Sequence, residues 1–264
     1  MKLSVAMAVY NETDSLAKTL DSVKGWVDEI VVANASTSDK PGKILDRYKA
    51  KVVRVENQPV FHVNKQKAID RCQGDWILQM DADEVVDDQL KKEILEIVKN
   101  GSEFSAYWIP RKNFFLGRWL RKSGQYPDPV IRFFKRGKAK LPCQSVHEQM
   151  VVDGEVGWLN GHLAHYNNSS FAEYLKRNNR YSSMFAQEMI DRKEKPGLAT
   201  FLKMLCQGHK DFFIRFVRCK GFLDGFPGFV FAFYSGLTQL TVYVKFWEMK
   251  KSGKKKISAE LDWE

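Results

Sequence analysis

The first eighty residues alternate between short apolar runs and longer segments in which apolar residues recur at helical spacing. Residues 3–9 are apolar almost throughout, as expected for a strand buried on both faces. Thr13 is a candidate N-cap for a helix that carries Leu16, Leu20 and Val23 on one side. Further strands are predicted at 30–33, 52–55 and 76–80, and further helices from Pro41 onward and over 64–71. This alternation predicts an α/β fold with a parallel sheet.

The last third of the chain has a helical and basic pattern instead. Ser170 is a candidate N-cap for a helix over 171–192. Aromatic residues interleaved with Lys and Arg over 201–218 indicate either a helix on a membrane surface or a core-facing helix whose basic side chains reach water. Residues 226–244 carry no charge and approach a membrane-spanning length. Because Pro, Gly, Ser, Thr and Gln interrupt this run, we favour an interfacial or self-associating helix over a spanning one.

Net charge suggests the classes of partner, and cysteine content suggests the redox compartment. Lys and Arg number 42 against 32 Asp and Glu, which gives a net charge of +10. Such a balance suggests nucleic acid, an anionic membrane surface or a phosphorylated substrate. We find no groove-reading motif and no stacking platform, so no nucleic-acid partner is predicted. The widely spaced cysteines predict free thiols in a reducing cytosol, and the N-terminus predicts a strand, not a signal peptide.

A cluster of acids follows the predicted strand at 76–80. Asp81, Asp83 and Glu84 lie within four residues, and like charges this close raise each other's pKa. A hard cation such as Mg²⁺ or Mn²⁺ relieves the repulsion and shares its coordination with substrate phosphates. The alternative is a solvated acidic loop that caps the next helix.

The position of this cluster favours the metal site. Ligands of parallel α/β sheets bind beyond the carboxyl ends of the strands. Polar residues follow the other predicted strands at that edge, namely Tyr10, Glu12, Asn34 and Asp39. The chain has neither the glycine pattern of a dinucleotide fold nor that of a phosphate-binding loop. A metal held by Asp81 and Asp83 would supply the positive charge that phosphates need.

Three segments resemble the family 2 glycosyltransferases, which have the GT-A fold. They are SVAMAVYNE at 4–12, EIVVANASTSD at 29–39 and GDWILQMDADE at 74–84. The resemblance implies a Rossmann-like, mostly parallel sheet flanked by helices, with a C-terminal helical, amphipathic extension. We expect a GT-A domain over 1–168, with a donor half (1–100) and an acceptor half (101–168). Residues 169–264 are expected to form the membrane-associating extension.

Further segments resemble one subgroup, the bacterial lipopolysaccharide core glycosyltransferases that place β-linked glucose on inner-core heptose. They lie at 113–121, 126–128, 132–139, 146–148 and 220–228. This resemblance implies an inverting enzyme that takes glucose from UDP-glucose, with Mg²⁺ or Mn²⁺, on the cytoplasmic face of the inner membrane as a peripheral protein. Other acceptors, such as a polyprenyl-phosphate, a capsule sugar or a peptide, stay open. Asn34 replaces the family's Asp, which leaves a non-catalytic sugar-nucleotide binder as an alternative.

The resemblance also implies roles for individual residues. Asp83 would bind the metal, and Asp81 the metal or the ribose. The nucleotide sugar would be lined by Ala8 through its backbone and by Tyr10, Glu12, Asn34 and Lys65. His165 would complete the metal shell, unless it is a structural histidine.

The catalytic base is expected after residue 110, on the acceptor side, where it takes the proton of the attacking hydroxyl. Glu148, beside His147, and Asp128, between two prolines, are the candidates, and we favour Glu148. The alternatives are an ion pair for Glu148 and a turn-capping role for Asp128.

Overall fold

The computed structural model describes residues 1–58, 60–144, 148–166 and 170–252. His147, the predicted neighbour of the base, lies outside these residues. Contacts group the chain into two compact units, Met1–Lys112 with Pro127–Tyr166, and Asn113–Tyr126 with Asn167–Glu264. The predicted domain boundary at residue 168 stays a prediction. The sequence prediction placed residues 113–126 in the first domain, whereas contacts group Asn113–Tyr126 with the second unit.

The described strands, in chain order, are β1 (Leu3–Val9), β2 (Glu29–Asn34), β3 (Lys51–Arg54), β4 (Trp76–Asp81), β5 (Glu84–Val86), β6 (Ala106–Ile109), β7 (Arg111–Phe115), β8 (Arg118–Trp119), β9 (Val130–Lys135), β10 (Ala139–Lys140), β11 (Val151–Val152), β12 (Val156–Trp158) and β13 (Leu163–His165). The α-helices are α1 (Leu16–Val23), α2 (Lys40–Arg47), α3 (His62–Ile69), α4 (Asp88–Asn100), α5 (Phe171–Asp191), α6 (Leu198–Phe213) and α7 (Gly225–Ser252). Thr13 as N-cap was wrong: its hydroxyl donates to the Asp14 carboxylate, and α1 begins after Ser15.

The first unit is built on a seven-stranded sheet with the order β12-β6-β9-β4-β1-β2-β3. Strands β4, β1, β2 and β3 pair in parallel, as the sequence predicted, while β9 runs antiparallel to β4 and β6. The register sets Ala8 beside both Ala33 and Asp81, and Val9 beside Asn34. The carboxyl ends of β1, β2 and β4 therefore meet at one edge.

Alternate residues of β1 belong to two separate cores, as the two-residue repeat of a strand requires. Leu3, Val5 and Met7 pack with apolar side chains of α1 and α4. Ala6 packs with side chains of α3, including Ala68. Helices therefore cover both faces of β1, which explains the nearly continuous apolar sequence of this strand.

The second unit is mostly helical. Ser170 caps α5, as predicted, because its hydroxyl accepts from the Glu173 amide. Helices α6 and α7 approach closely where Gly208 faces Gly236: a Cβ atom added to either glycine would lie 2.6 Å from the other's carbonyl oxygen. A π-helical turn, Ile214–Arg218, and a 3₁₀ turn, Gly221–Asp224, connect these two helices. Across the part of the chain that the structure describes, no helix is both long and apolar enough to cross a membrane.

Candidate active site

The acidic segment forms a tight turn between β4 and β5. Thr19 Oγ1 donates to the Ala82 carbonyl (2.8 Å), and Glu84 Oε2 accepts from the Asp81 amide (2.9 Å). Glu84 is fully buried, so the segment is not a solvated loop. Helix α4 is capped instead by Asp87, whose carboxylate accepts from the Leu90 amide. The helix-cap alternative for the acidic segment is therefore wrong.

Asp81 lies between two buried cations. Its Oδ1 pairs with Lys65 Nζ, and its Oδ2 lies 2.6 Å from Arg132 Nη2. Burial raises the pKa of the Asp81 carboxyl, but Arg132 and Lys65 outweigh burial and hold that pKa well below its usual range. Asp81 is therefore an anion whose two oxygens are both engaged by protein cations.

Arg132 begins a chain of alternating charges that leads away from Asp81. Its Nη2 lies 3.6 Å from Glu84 Oε1, and Arg111 Nη1 lies 3.7 Å from that same oxygen. Arg111 Nη2 in turn lies 2.6 Å from Asp128 Oδ2. Neither arginine is among the site residues predicted from the sequence, although a single arginine inside the apolar run of β9 is a visible signal for a buried ionic partner.

Asp83 and His165 face each other across the edge of the β5–β13 pair. Asp83 Oδ2 lies 3.6 Å from His165 Nε2, and the Tyr166 amide donates to the Asp83 carbonyl (2.9 Å). The register sets His165 opposite Glu84. A carboxylate and an imidazole at this separation fit two ligands of a divalent cation, and a donor diphosphate and water would supply the others.

No group of three or more potential metal ligands occurs in the described parts of the chain. The donor set therefore fits a cation that is held jointly with substrate, and does not fit a closed structural metal site. Asp81 as a metal ligand stays a prediction, and its two ion pairs favour the ribose role over the metal role.

The loops after β1 and β2 are joined by hydrogen bonds. The Asn11 amide donates to Ser36 Oγ (2.9 Å), and the Thr37 amide donates to Asn11 Oδ1 (3.0 Å). Asn11 adopts a positive φ of 53°, which asparagine tolerates better than most residues. Asn34 Oδ1 accepts from the Ser36 amide (3.0 Å), so this side chain orders the loop. The sequence analysis assigned no role to Asn11, Ser36 or Thr37.

The predicted donor residues come from the elements around this edge. Asn34 ends β2, Ala8 is the penultimate residue of β1, and Tyr10 and Glu12 follow β1. Lys65 lies on α3, is buried, and stands 4.6 Å above the Phe61 ring. Burial lowers the pKa of Lys65, and Asp81 opposes that effect.

A cavity of about 260 Å³ opens beside Asp81. Its walls include Lys65, Arg111, Arg132, His62 and Glu148. Glu148 Oε1 accepts from the Gln144 amide (2.8 Å), and its Oε2 lies 3.7 Å from His62 Nδ1. Burial lowers the pKa of His62, and Lys65 and Arg132 lower it further. The sequence analysis gave His62 no role.

Asp128, the second candidate base, has different surroundings. It adopts a positive φ of 40°, pairs with Arg111, and does not line the cavity. Its side chain is 38 % exposed. The geometry therefore favours Glu148 over Asp128, and both assignments stay predictions.

Comparison with known proteins adds a family match. The model of the glycosyl transferase family 2 matches residues 4–155. A lipopolysaccharide core biosynthesis glycosyltransferase, LpsC, of Rhizobium meliloti (strain 1021) is 25 % identical over 257 residues, which are 92 % of this chain and 92 % of the relative. An uncharacterised glycosyltransferase of Rickettsia typhi is 29 % identical over 245 residues, which are 87 % of this chain and 81 % of the relative.

Solved structures show weaker similarity. Residues 1–349 of TarS from S. aureus give a TM-score of 0.48 at 15 % identity, with 96 % of this chain and 92 % of that chain covered. Glucosyl-3-phosphoglycerate synthase from Mycobacterium tuberculosis gives a TM-score of 0.42 at 17 % identity, with 66 % and 74 % covered. The family match and the mostly parallel sheet together confirm the GT-A fold class that the sequence predicted.

Proposed function

Because the chain belongs to the family 2 glycosyltransferases, we propose that it is an inverting, metal-dependent hexosyltransferase. It moves glucose from UDP-glucose to a lipopolysaccharide core sugar, the inner-core heptose. The similarity to the R. meliloti relative, a lipopolysaccharide core biosynthesis glycosyltransferase, and the subgroup segments of the sequence support this acceptor. The enzyme works as a peripheral protein on the cytoplasmic face of the inner membrane, which is anionic and complements the net charge of +10.

One observation carries the proposal: Asp81 and Glu148 line the same cavity, and the Asp83–His165 pair begins two residues after Asp81, in the same unit. This arrangement separates donor binding from acceptor activation. Asp83 and His165 would hold Mg²⁺ or Mn²⁺, which supplies Lewis-acid stabilisation of the charge on the leaving diphosphate. Asp81, kept as an anion by Lys65 and Arg132, accepts hydrogen bonds from the ribose hydroxyls.

Glu148 acts on the acceptor. Its carboxylate takes the proton of the attacking hydroxyl while the new bond to the anomeric carbon forms and the bond to the diphosphate oxygen breaks. The Gln144 amide and His62 fix the direction of this carboxylate. Burial lowers the pKa of His62 and favours its neutral form at pH 7.

The test follows diphosphate release from a panel of sugar nucleotides with Mg²⁺ or Mn²⁺, with and without deacylated core lipopolysaccharide. We expect acceptor-dependent turnover with UDP-glucose and loss of turnover on chelation. Turnover that requires a polyprenyl-phosphate instead would overturn the acceptor. Donor binding without turnover on any acceptor would favour a non-catalytic sugar-nucleotide binder.

The isosteric variants Glu148→Gln and Asp128→Asn distinguish between the two candidate bases. Glu148→Gln should lower kcat by about 10²- to 10⁴-fold, the usual contribution of a general base, while UDP binding stays unchanged. Glu96→Gln, on the exposed face of α4, is the matched control and should keep full activity. Full activity of Glu148→Gln together with an inactive Asp128→Asn would move the base to Asp128.

A further inference from the structure

The connection between α6 and α7 exposes a group of large apolar side chains. Five of them, between 49 % and 72 % exposed, lie within fourteen residues of sequence and are here called the apolar tip: Phe213, Val217, Phe222, Leu223 and Phe226. Exposed apolar residues occur singly on most proteins, but a concentration of this kind marks an interaction surface.

The tip is a closely packed turn. A Cβ atom added to Gly221 would lie 2.6 Å from both the Arg215 carbonyl oxygen and Ser123 Oγ, so the backbone here is tightly packed. Lys220 and Gly225 adopt positive φ angles of 55° and 66° at the two ends of the 3₁₀ turn. The apolar side chains are therefore presented by an ordered backbone and need no folding step on binding.

Five exposed cations lie within the tip segment or on the segment that is hydrogen-bonded to it, and they are here called the basic collar: Arg118, Arg121, Lys122, Arg218 and Lys220. Arg118 Nη2 donates to the Leu223 carbonyl (3.3 Å), which fixes one guanidinium on the tip itself. Residues 113–126 and 212–223 contain no acid. Two acids flank the second range: Asp224 is 2 % exposed and accepts from the amides of Arg121 and Lys122 (3.1 and 2.9 Å), and the Asp211 carboxylate accepts from the side-chain amides of Gln207 and Gln239 (2.8 Å each).

From this combination we propose that the apolar tip inserts into the interfacial layer of an anionic bilayer while the basic collar contacts lipid phosphates. Apolar burial and attraction to anionic headgroups are the two contributions that hold interfacial segments on membranes. A second copy of the chain is a poor occupant, because two basic collars would face each other without an acid between them. The inference rests on the proposed function only for the choice of a membrane as the site of action.

Vesicle sedimentation of the full chain tests the proposal. We expect binding to phosphatidylcholine vesicles that contain phosphatidylglycerol, and much weaker binding to pure phosphatidylcholine. The double substitution Phe222→Ser with Phe226→Ser should lower the partition coefficient by roughly tenfold or more. Val151→Ser, an exposed apolar position on β11, is the matched control and should bind as the parent does.

The basic collar has its own variant. Arg218→Gln with Lys220→Gln should weaken binding to anionic vesicles by about fivefold per cation removed, and the loss should shrink at high salt. Lys92→Gln with Lys99→Gln, both exposed on α4, removes the same charge elsewhere and should have little effect. If both charge variants lost vesicle binding equally, net charge alone would explain the effect, and a specific role of the basic collar would be overturned.

Transfer to a water-soluble, deacylated acceptor separates this inference from the proposed function, because the tip variants should keep that activity. Unchanged vesicle binding by the Phe222→Ser and Phe226→Ser variant would overturn the proposal. So would a concentration-dependent dimer of the parent, measured by light scattering, that the same variant abolishes.

Discussion

Arg132 Nη2 lies 2.6 Å from Asp81 Oδ2 and 3.6 Å from Glu84 Oε1, so one guanidinium serves both ends of the acidic turn. Its side chain is buried, and so is that of Glu84. Water therefore contributes little to the solvation of these charges, and each depends on its protein partners. Burial lowers the pKa of Arg132, but Asp81 and Glu84 outweigh burial and raise it, so the guanidinium stays charged.

Removal of this guanidinium should destabilise the fold strongly. Arg132→Met keeps much of the side-chain volume but leaves Glu84 buried without this partner. We expect the free energy of unfolding, measured by urea titration, to fall by about 3–5 kcal/mol, as for other buried pairs that lose one member.

A surface pair of similar geometry provides the control for Arg132→Met. Lys51 Nζ lies 2.7 Å from Glu29 Oε2, but the lysine side chain is more than half exposed. Lys51→Met should therefore cost less than about 1 kcal/mol. Similar losses in the two variants would mean that burial does not set the strength of the Arg132 contacts.

The α/β half of the fold was predictable because local sequence determines it. A nearly continuous apolar run such as Leu3–Val9 favours a strand that is covered on both faces, and its period-two alternation assigns side chains to the two cores. The antiparallel insertion of β9 between β4 and β6 was not predictable. It follows from long-range pairing, which a local pattern does not encode.

The candidate site also contains residues that local sequence predicts and residues that only long-range contacts bring together. Asp81 and Asp83 were predictable from their close spacing directly after a strand. Arg132 lies 51 residues away in sequence, and only the register of β9 brings it to Asp81. His62 was missed because a single histidine near a helix start has no distinctive pattern. Its significance comes from the Glu148 carboxylate, which lies 3.7 Å away and lines the same cavity.

Gly208 should tolerate no side chain. In Gly208→Ala, the new Cβ atom would lie 2.6 Å from the Gly236 carbonyl oxygen, a backbone atom that cannot move away cheaply. Helices α6 and α7 must then separate, and we expect a loss of about 1–3 kcal/mol in the free energy of unfolding.

Gly42→Ala is the matched control for the helix-contact glycine. This residue also lies in a helix, α2, but a Cβ atom there would meet nothing within 4 Å. Alanine should be neutral there or should stabilise by up to about 1 kcal/mol, because it favours helix over the unfolded chain. Thermal unfolding followed by circular dichroism measures both variants.

Asp83 and His165 should act together in donor binding. If they share a cation, Asp83→Asn and His165→Ala should each weaken Mn²⁺-dependent UDP binding by about 10- to 100-fold, measured by titration calorimetry. The double variant should lose little more than either single variant, because the two losses are coupled. Asp46→Asn, on the exposed side of α2, should bind UDP as the parent does.

Independent losses would contradict a shared cation at Asp83 and His165. Fully additive effects in the double variant would mean that the two residues contribute separately, with His165 in a structural role. UDP binding that does not depend on the metal in the parent would remove the cation from the donor site altogether.

His62 should make stability depend on pH. Burial, aided by Lys65 and Arg132, lowers its pKa in the folded protein, although Asp81 and Glu148 oppose that effect. The unfolded chain has the ordinary histidine pKa of about 6.5 and therefore binds the proton more readily. As the pH falls below that value, the unfolded state gains protons first and the free energy of unfolding decreases, until the pH reaches the folded-state pKa.

Urea titrations between about pH 5 and pH 8 measure this effect as a difference from His62→Gln, which cannot titrate. The stability of the parent relative to this variant should fall as the pH drops below about 6.5. His162, whose pKa burial also lowers, titrates in both proteins and cancels from the difference. A pH-independent difference for His62→Gln would mean that His62 carries the same pKa in the folded and unfolded states.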